Sequence, residues 1–199
     1  MKLTLRWTRR LLIAGGVSLL AYCGLVLIDA RIFQKGEDRR FERLLTTHRE
    51  PTYPVSLWWE AGETSLPAAT GGLIGRMEIP RLGLSTMVME GTSTTTLRRA
   101  LGHISGTALP GQPGNAGISG HRDTFFRPLR NIEPNDVISL TTMRGEYRYR
   151  VVSTKVVDPA DVDVLDPSEN ETLTLVTCYP FYFVGPAPKR FIVRAERVG

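Results

Sequence analysis

Between Leu11 and Ile28 the chain reads LLIAGGVSLLAYCGLVLI, with no charged residue, and Lys2, Arg6, Arg9 and Arg10 precede it. A run of this length sits at the lower edge of the roughly 17–25 apolar residues that cross a bilayer as a helix. Inside hydrocarbon each backbone N–H and C=O must find a partner within the segment, so helix is the conformation open to a single such run. A signal-peptide core is shorter, about 7–15 residues, and ends at a small-residue cleavage site. No such site closes this run, and Asp29 and Arg31 follow it directly. The expectation is an uncleaved anchor over 11–28, with the basic tail 1–10 held on the cytoplasmic side. The rest of the chain would then lie outside the inner (cell) membrane, tethered by a single pass. Tyr22 before Cys23 argues against a lipoprotein cleavage box, which leaves Cys23 as a lipid-facing or packing residue.

The anchor also explains the charge. Four of the five net positive charges precede the span, leaving +1 for everything after it. No basic stripe interleaved with aromatics remains, which excludes nucleic acid as a partner. Residues 29–71 read as a stalk and linker, partly helical. Phe41, Leu44 and Leu45 are spaced as one helical stripe, and a segment rich in proline, glycine and small residues follows. Trp58 and Trp59 are expected to pack on the domain that comes next.

From residue 72 the chain is a string of short β-branched and aromatic runs. They cover Gly75–Ile79, Leu84–Met89, Gly117–Gly120, Val137–Thr141, Glu146–Val157, Thr172–Thr177 and Arg190–Ala195, separated by Gly/Pro turns. Only Ser93–Leu101 has a helical pattern. Strands without βαβ alternation predict one mainly β domain over 72–199, a closed or nearly closed barrel.

Cys178 ends one of these runs, in TLTLVTCYPF, and its only possible disulfide partner in the chain is Cys23. Structural cysteines in exported proteins normally pair, so a leftover thiol is either reactive or buried and inert. A nucleophilic thiol needs a proton partner and a group to hold an oxyanion. His48 falls in the stalk. His103, in GHISGT, and His121, in GISGHRDTFF, both remain candidates, with glycine before His121 leaving room for another chain to approach. Arginine has fixed donors and stays protonated, so it suits the oxyanion. A hairpin with the loop YPFYFVGPAPK would return the chain antiparallel and could set Arg190 beside Cys178; the alternatives are an exposed strand arginine and Lys189 as the competing cation.

These residues resemble a known family. TLVTC at Thr174–Cys178, the longer string LTLVTCYPFYFVGPAPKRFIVRA, and the upstream NAGISGHRDTFFRPLRNI and LPGQPGN are similar to the motifs of sortases, membrane-anchored cysteine transpeptidases, and most of all to class D sortases. The resemblance runs from about Gly72 to Val198. It implies an eight-stranded β-barrel with short helices, Cys178 as nucleophile, His121 as catalytic histidine and Arg190 as catalytic arginine. Asp123 and Thr177 match motif positions as supports. By the same analogy the segment 158–171 forms a wall of the substrate groove, with Val162, Val164 and Leu165 as apolar lining and Thr177 close by. The implied partners are proteins with an LPxT-like sorting signal and an amine acceptor, either a peptidoglycan precursor or a pilin lysine. No cofactor is expected. Asp158, Asp161, Asp163 and Glu169 read as a solvated acidic loop rather than a metal site. Two rivals stand beside this reading: an exported cysteine peptidase trimming peptidoglycan peptides, and a tethered β-domain that binds wall polymer with Cys178 buried.

Overall fold

The computed structural model describes residues 2–48 and 72–198; Trp58 and Trp59 lie outside the described residues. Helix α1 (Lys2–His48) is continuous. One stretch of it meets the length and hydropathy of a membrane span, with none of that window buried against protein.

Beyond the apolar run the same helix becomes a docking element. Asp29 accepts from Arg99 Nε and Nη2 at 2.8 and 3.2 Å. Gln34 donates to the Arg99 carbonyl at 2.7 Å and accepts the Met87 N–H at 2.8 Å. Asp38 and Glu42, one helical turn apart, both hold Arg76, at 2.8 and 2.7 Å. Phe41 is fully buried beneath them, its ring centroid 5.7 Å from the Arg76 guanidinium. Of the stripe legible in the sequence Phe41 is the buried member, worth about 1.5–3 kcal/mol, while Leu44 stays exposed.

The strands are β1 (Leu73–Ile79), β2 (Leu84–Glu90), β3 (Leu101–His103), β4 (Asn115–Ser119), β5 (Val137–Thr142), β6 (Gly145–Val157), β7 (Thr172–Tyr179) and β8 (Lys189–Arg197). They close into one barrel in the order β1-β2-β3-β4-β7-β8-β6-β5. Two neighbouring pairs are parallel: β2 with β3, joined through helix α2 (Thr94–Arg99), and β4 with β7, separated by the β5–β6 hairpin. Alternation along each strand fills the interior. Met77, Ile79, Ile138, Leu140, Leu173, Leu175 and Val193 are all buried to 0% exposure.

The eight-stranded barrel agrees with the expected fold, and seven of the strands follow the expected runs. Strand β3 does not. The helical pattern in the sequence extends to Leu101, but α2 stops at Arg99 and Leu101–His103 pair with β2 and β4. Three residues are too few to show a period, and Gly102 lacks the β-branched signature of a strand. A second difference is three 3-10 turns, at Pro80–Leu82, Arg127–Asn131 and Val162–Leu165, where the sequence pattern reads as loop.

Candidate active site

Two strands bring Cys178 and Arg190 level. In the antiparallel β7–β8 pair, Cys178 lies directly opposite Arg190. The parallel β4–β7 pair runs from Asn115 opposite Thr172 to Ser119 opposite Val176. The ladder therefore ends two residues before His121 on one side and two before Cys178 on the other. Two bonds extend the contact past the last ladder pair: Gly120 N–H donates to the Val176 carbonyl at 3.2 Å, and Thr177 Oγ1 donates to the Gly120 carbonyl at 2.7 Å.

Alternation puts all three on the outer surface of the barrel. Leu173 and Leu175 face the core, so Thr177 points inward, 3% exposed, and Cys178 outward. Val193 and Ala195 face the core, so Arg190 points outward. Ala116 and Ile118 face the core, and Gly120 continues their parity: a Cβ on it would lie 2.5 Å from Leu101 Cδ2 and 2.8 Å from Phe126 Cδ2. Glycine is required there by close packing, and His121 is turned outward by one residue. Adjacent strands lie about 4.8 Å apart, so Cys178 and Arg190 are immediate neighbours across the β7–β8 pair.

Each group is free in the way its chemistry needs. Cys178 is half-buried and unpaired, and His121 is exposed. Among the described residues neither the thiol nor the imidazole is tied up in a hydrogen bond or ion pair. Arg190 Nη1 donates to the carbonyls of Ala187 and Lys189 at 3.3 and 3.0 Å, which steadies the guanidinium and leaves Nε and Nη2 available. Lys189, the competing cation, is paired with Asp158 at 2.7 Å.

His103 is the histidine that drops out. It is 2% exposed; Nδ1 pairs with Glu90 Oε2 at 2.7 Å and Nε2 donates to the Ala108 carbonyl at 2.9 Å. Ser105 completes the Glu90 carboxylate at 2.7 Å. Both ring nitrogens are committed, so this imidazole ties β2 and β3 to the turn that leads into β4.

The remaining expected residues divide. The 3-10 turn Val162–Leu165 lies over the outer face of β4 and β7, held by Asn115 Nδ2, which donates to the Val164 and Asp166 carbonyls at 3.1 Å each. Leu165 packs over Gly117, where a Cβ would meet its Cδ2 at 3.0 Å. Val164 lines a groove of about 180 Å³ with Thr174, Ile192 and Arg194. Val162 is 67% exposed at the rim. Thr177 is inside the barrel wall rather than in the groove, and its hydroxyl holds Gly120, the residue before His121. Asp123, its side chain 70% exposed, lies 3.6 Å from Arg122 Nε. No three His, Cys, Asp or Glu side chains converge on a metal-like site among the described residues.

Sequence reasoning missed Arg122, which is 6% exposed although it stands between His121 and Asp123. A charged residue after a strand reads as surface, and nothing local signals that it turns under the neighbouring loop.

The comparisons bear on the family and the fold. Residues 77–198 match the family model described as the Sortase domain. The chain is 33% identical over 189 residues to Sortase D of Bacillus subtilis (strain 168), covering 94% of this chain and 96% of that one. It is 30% identical over 110 residues to Sortase A of Listeria monocytogenes, covering 53% and 49% of the two. Among solved structures, the Clostridium perfringens Sortase D5 transpeptidase superposes with a TM-score of 0.63 at 29% identity, covering 80% of this chain and 98% of that one. Sortase A from Corynebacterium diphtheriae, a lid mutant, gives 0.61 at 33% identity, covering 66% and 73%. A family model over more than half the chain, a full-length relative and a shared barrel have one meaning: the chain belongs to the sortase family.

Proposed function

We propose that the protein is a membrane-anchored, class D-like cysteine transpeptidase that cuts an LPxT-like sorting signal after threonine and passes the acyl group to an amine. The observation that carries this is the half-buried, unpaired Cys178 directly opposite Arg190 across β7 and β8, with the exposed His121 two residues past the end of the neighbouring strand β4.

The chemistry follows from these three residues. The Cys178 thiolate attacks the threonine carbonyl, and the carbonyl π electrons move to oxygen. Arg190 donates N–H bonds to that oxyanion from donors its carbonyl partners leave open. His121 as imidazolium protonates the leaving amine as the C–N bond breaks, and a Cys178 thioester remains. The acceptor amine, a peptidoglycan precursor or a pilin lysine, then attacks the thioester. Neutral His121 takes its proton, and collapse returns the thiolate and a new amide. Thiolate is the reactive form, and cationic neighbours favour it.

The sorting peptide lies along the outer face of β4 and β7, where Val164 and Leu165 supply an apolar wall and Val162 the rim. The span within residues 11–28 anchors the enzyme, with its N-terminus cytoplasmic and the barrel extracytoplasmic.

The test uses the full chain in detergent micelles, because α1 packs on the barrel. LPxT-type peptides and an amine acceptor are added, and products are read by mass spectrometry. A Cys178-linked thioester and a new amide at threonine are expected, both abolished in Cys178→Ala. Release of cleaved peptidoglycan stem peptides with no transfer to an amine would assign the protein to the peptidase class instead.

A further inference from the structure

Arg122 directly follows His121, and its guanidinium reaches across to the connection between β7 and β8. Nη1 donates to the Pro180 carbonyl at 2.9 Å, and Nη2 donates to the carbonyls of Phe183 and Gly185 at 2.8 and 3.1 Å. The Phe183 ring lies over the same guanidinium, 5.8 Å from centroid to carbon. One side chain therefore gathers three carbonyls from a loop whose Tyr182 and Val184 are 76% and 100% exposed. Arg130, from the same β4–β5 connection, stacks on Tyr182 at 5.5 Å and closes the loop tip from outside.

This is poor design for stability alone. Taking a guanidinium to 6% exposure is costly, and its compensation here is three neutral carbonyls and one surface carboxylate at ion-pair distance. Among the described residues Nε, also buried, has no hydrogen-bond partner. What the arrangement supplies is geometry. A planar fork can hold several carbonyls at fixed angles, which an ammonium on a flexible stem cannot. The residues it joins are telling: Arg122 is covalently next to His121, and Pro180 is two residues from Cys178.

We infer that Arg122 is a positioning residue, a clamp that sets the spacing and orientation of the His121 imidazole relative to the Cys178 thiol by locking the β7–β8 loop to the segment after β4. The inference rests on reading Cys178 and His121 as the reacting pair. The β4–β7 ladder ends at Ser119 and Val176, short of both residues. Beyond it, the Gly120–Val176 and Thr177–Gly120 bonds and the Arg122 fork hold the two segments together. Without the fork, Pro180, Phe183 and Gly185 lose a shared partner and the loop samples other conformations.

The test compares wild type, Arg122→Lys and Arg122→Met as full chains in micelles, with Cys178→Ala as control. Four quantities are read: single-turnover acylation by an LPxT-type peptide, steady-state turnover and KM, the pH–rate profile, and amide exchange over 179–189. In Arg122→Lys, acylation and steady-state turnover are both expected to slow by 10- to 100-fold while KM stays within threefold of wild type. The pH–rate profile is expected to be displaced, and exchange in the loop to be at least tenfold faster. A merely structural residue would lower activity in proportion to the unfolded fraction and leave the profile of the folded fraction in place. Should Arg122→Met fail to fold, Arg122→Lys, which keeps the cation, decides alone. Wild-type turnover and loop exchange in Arg122→Lys, with Cys178→Ala inactive, overturn the clamp. Turnover persisting in Cys178→Ala overturns instead the reading of the site on which the clamp depends.

Discussion

Replacing Arg190 tests its proposed oxyanion role at a small expected cost in stability. Among the described residues its hydrogen bonds are two, both from Nη1 to carbonyls one and three residues away, in a half-buried setting that water reaches. Losing ordinary hydrogen bonds of that kind costs about 1 kcal/mol in net stability, and in a domain of this size that lowers Tm by roughly 3–5 °C. Catalytically, removing one preorganised oxyanion donor slows turnover by about 10²–10³, or 2.7–4 kcal/mol. Arg190→Gln, which loses the cation as well, is expected at or beyond the upper end. Arg190→Lys, which keeps the charge on a single mobile point, is expected near the lower end. The assay pairs thermal unfolding with single-turnover thioester formation, and adds alkylation of Cys178 by iodoacetamide to show that the thiol stays accessible. If Arg190→Gln forms the thioester within threefold of the wild-type rate, the register of Cys178 opposite Arg190 has no catalytic meaning and the oxyanion assignment falls.

Further expectations concern the surroundings of the site. His103→Leu strands the Glu90 carboxylate in the interior and is expected to cost about 3 kcal/mol, seen as a Tm loss near 10 °C, while the folded fraction keeps its Cys178 reactivity; full stability would refute the structural role. Gly120→Ala drives a methyl into Leu101 and Phe126 and should cost about 1–3 kcal/mol with a disproportionate loss of turnover, since His121 hangs from the same backbone. Asp136 has its carboxyl held below the usual range by its hydrogen bond to Arg81, and the Glu133 N–H adds to this. Its contribution is therefore whole above about pH 4 and disappears as pH falls through its lowered folded value. The Tm difference between wild type and Asp136→Asn should accordingly narrow below that pH, and a constant difference down to about pH 2 would contradict the linkage. Replacing Asp38 and Glu42 together by Lys, opposite Arg76, should release the outer half of α1, read as faster amide exchange at Met87, whose N–H bonds Gln34.

Much of this protein is legible along the chain. The uncharged run 11–28 has one conformation open to it in a bilayer, and seven strands announce themselves by β-branched composition between glycine and proline turns. A hairpin between Cys178 and Arg190 is legible too, because the chain must turn back between two β-branched runs, but their exact register is set by the β7–β8 ladder. Local chemistry decides these features, so a linear reading reaches them.

The histidine is different. His103 and His121 both lie near glycine at the ends of short segments, and the motif likeness favours one without showing why the other is excluded. Tertiary structure separates the two: parallel pairing of β4 with β7, across about 57 residues of sequence, ends two residues before His121 and two before Cys178 and leaves His121 exposed. Meanwhile Glu90 and the Ala108 carbonyl occupy both nitrogens of His103. The burial of Arg122, the inward turn of Thr177 and the docking of α1 through Phe41 belong to the same class. Each depends on which distant strand or loop lies next door, and closure of a barrel fixes that through long-range pairing that no short window of sequence contains.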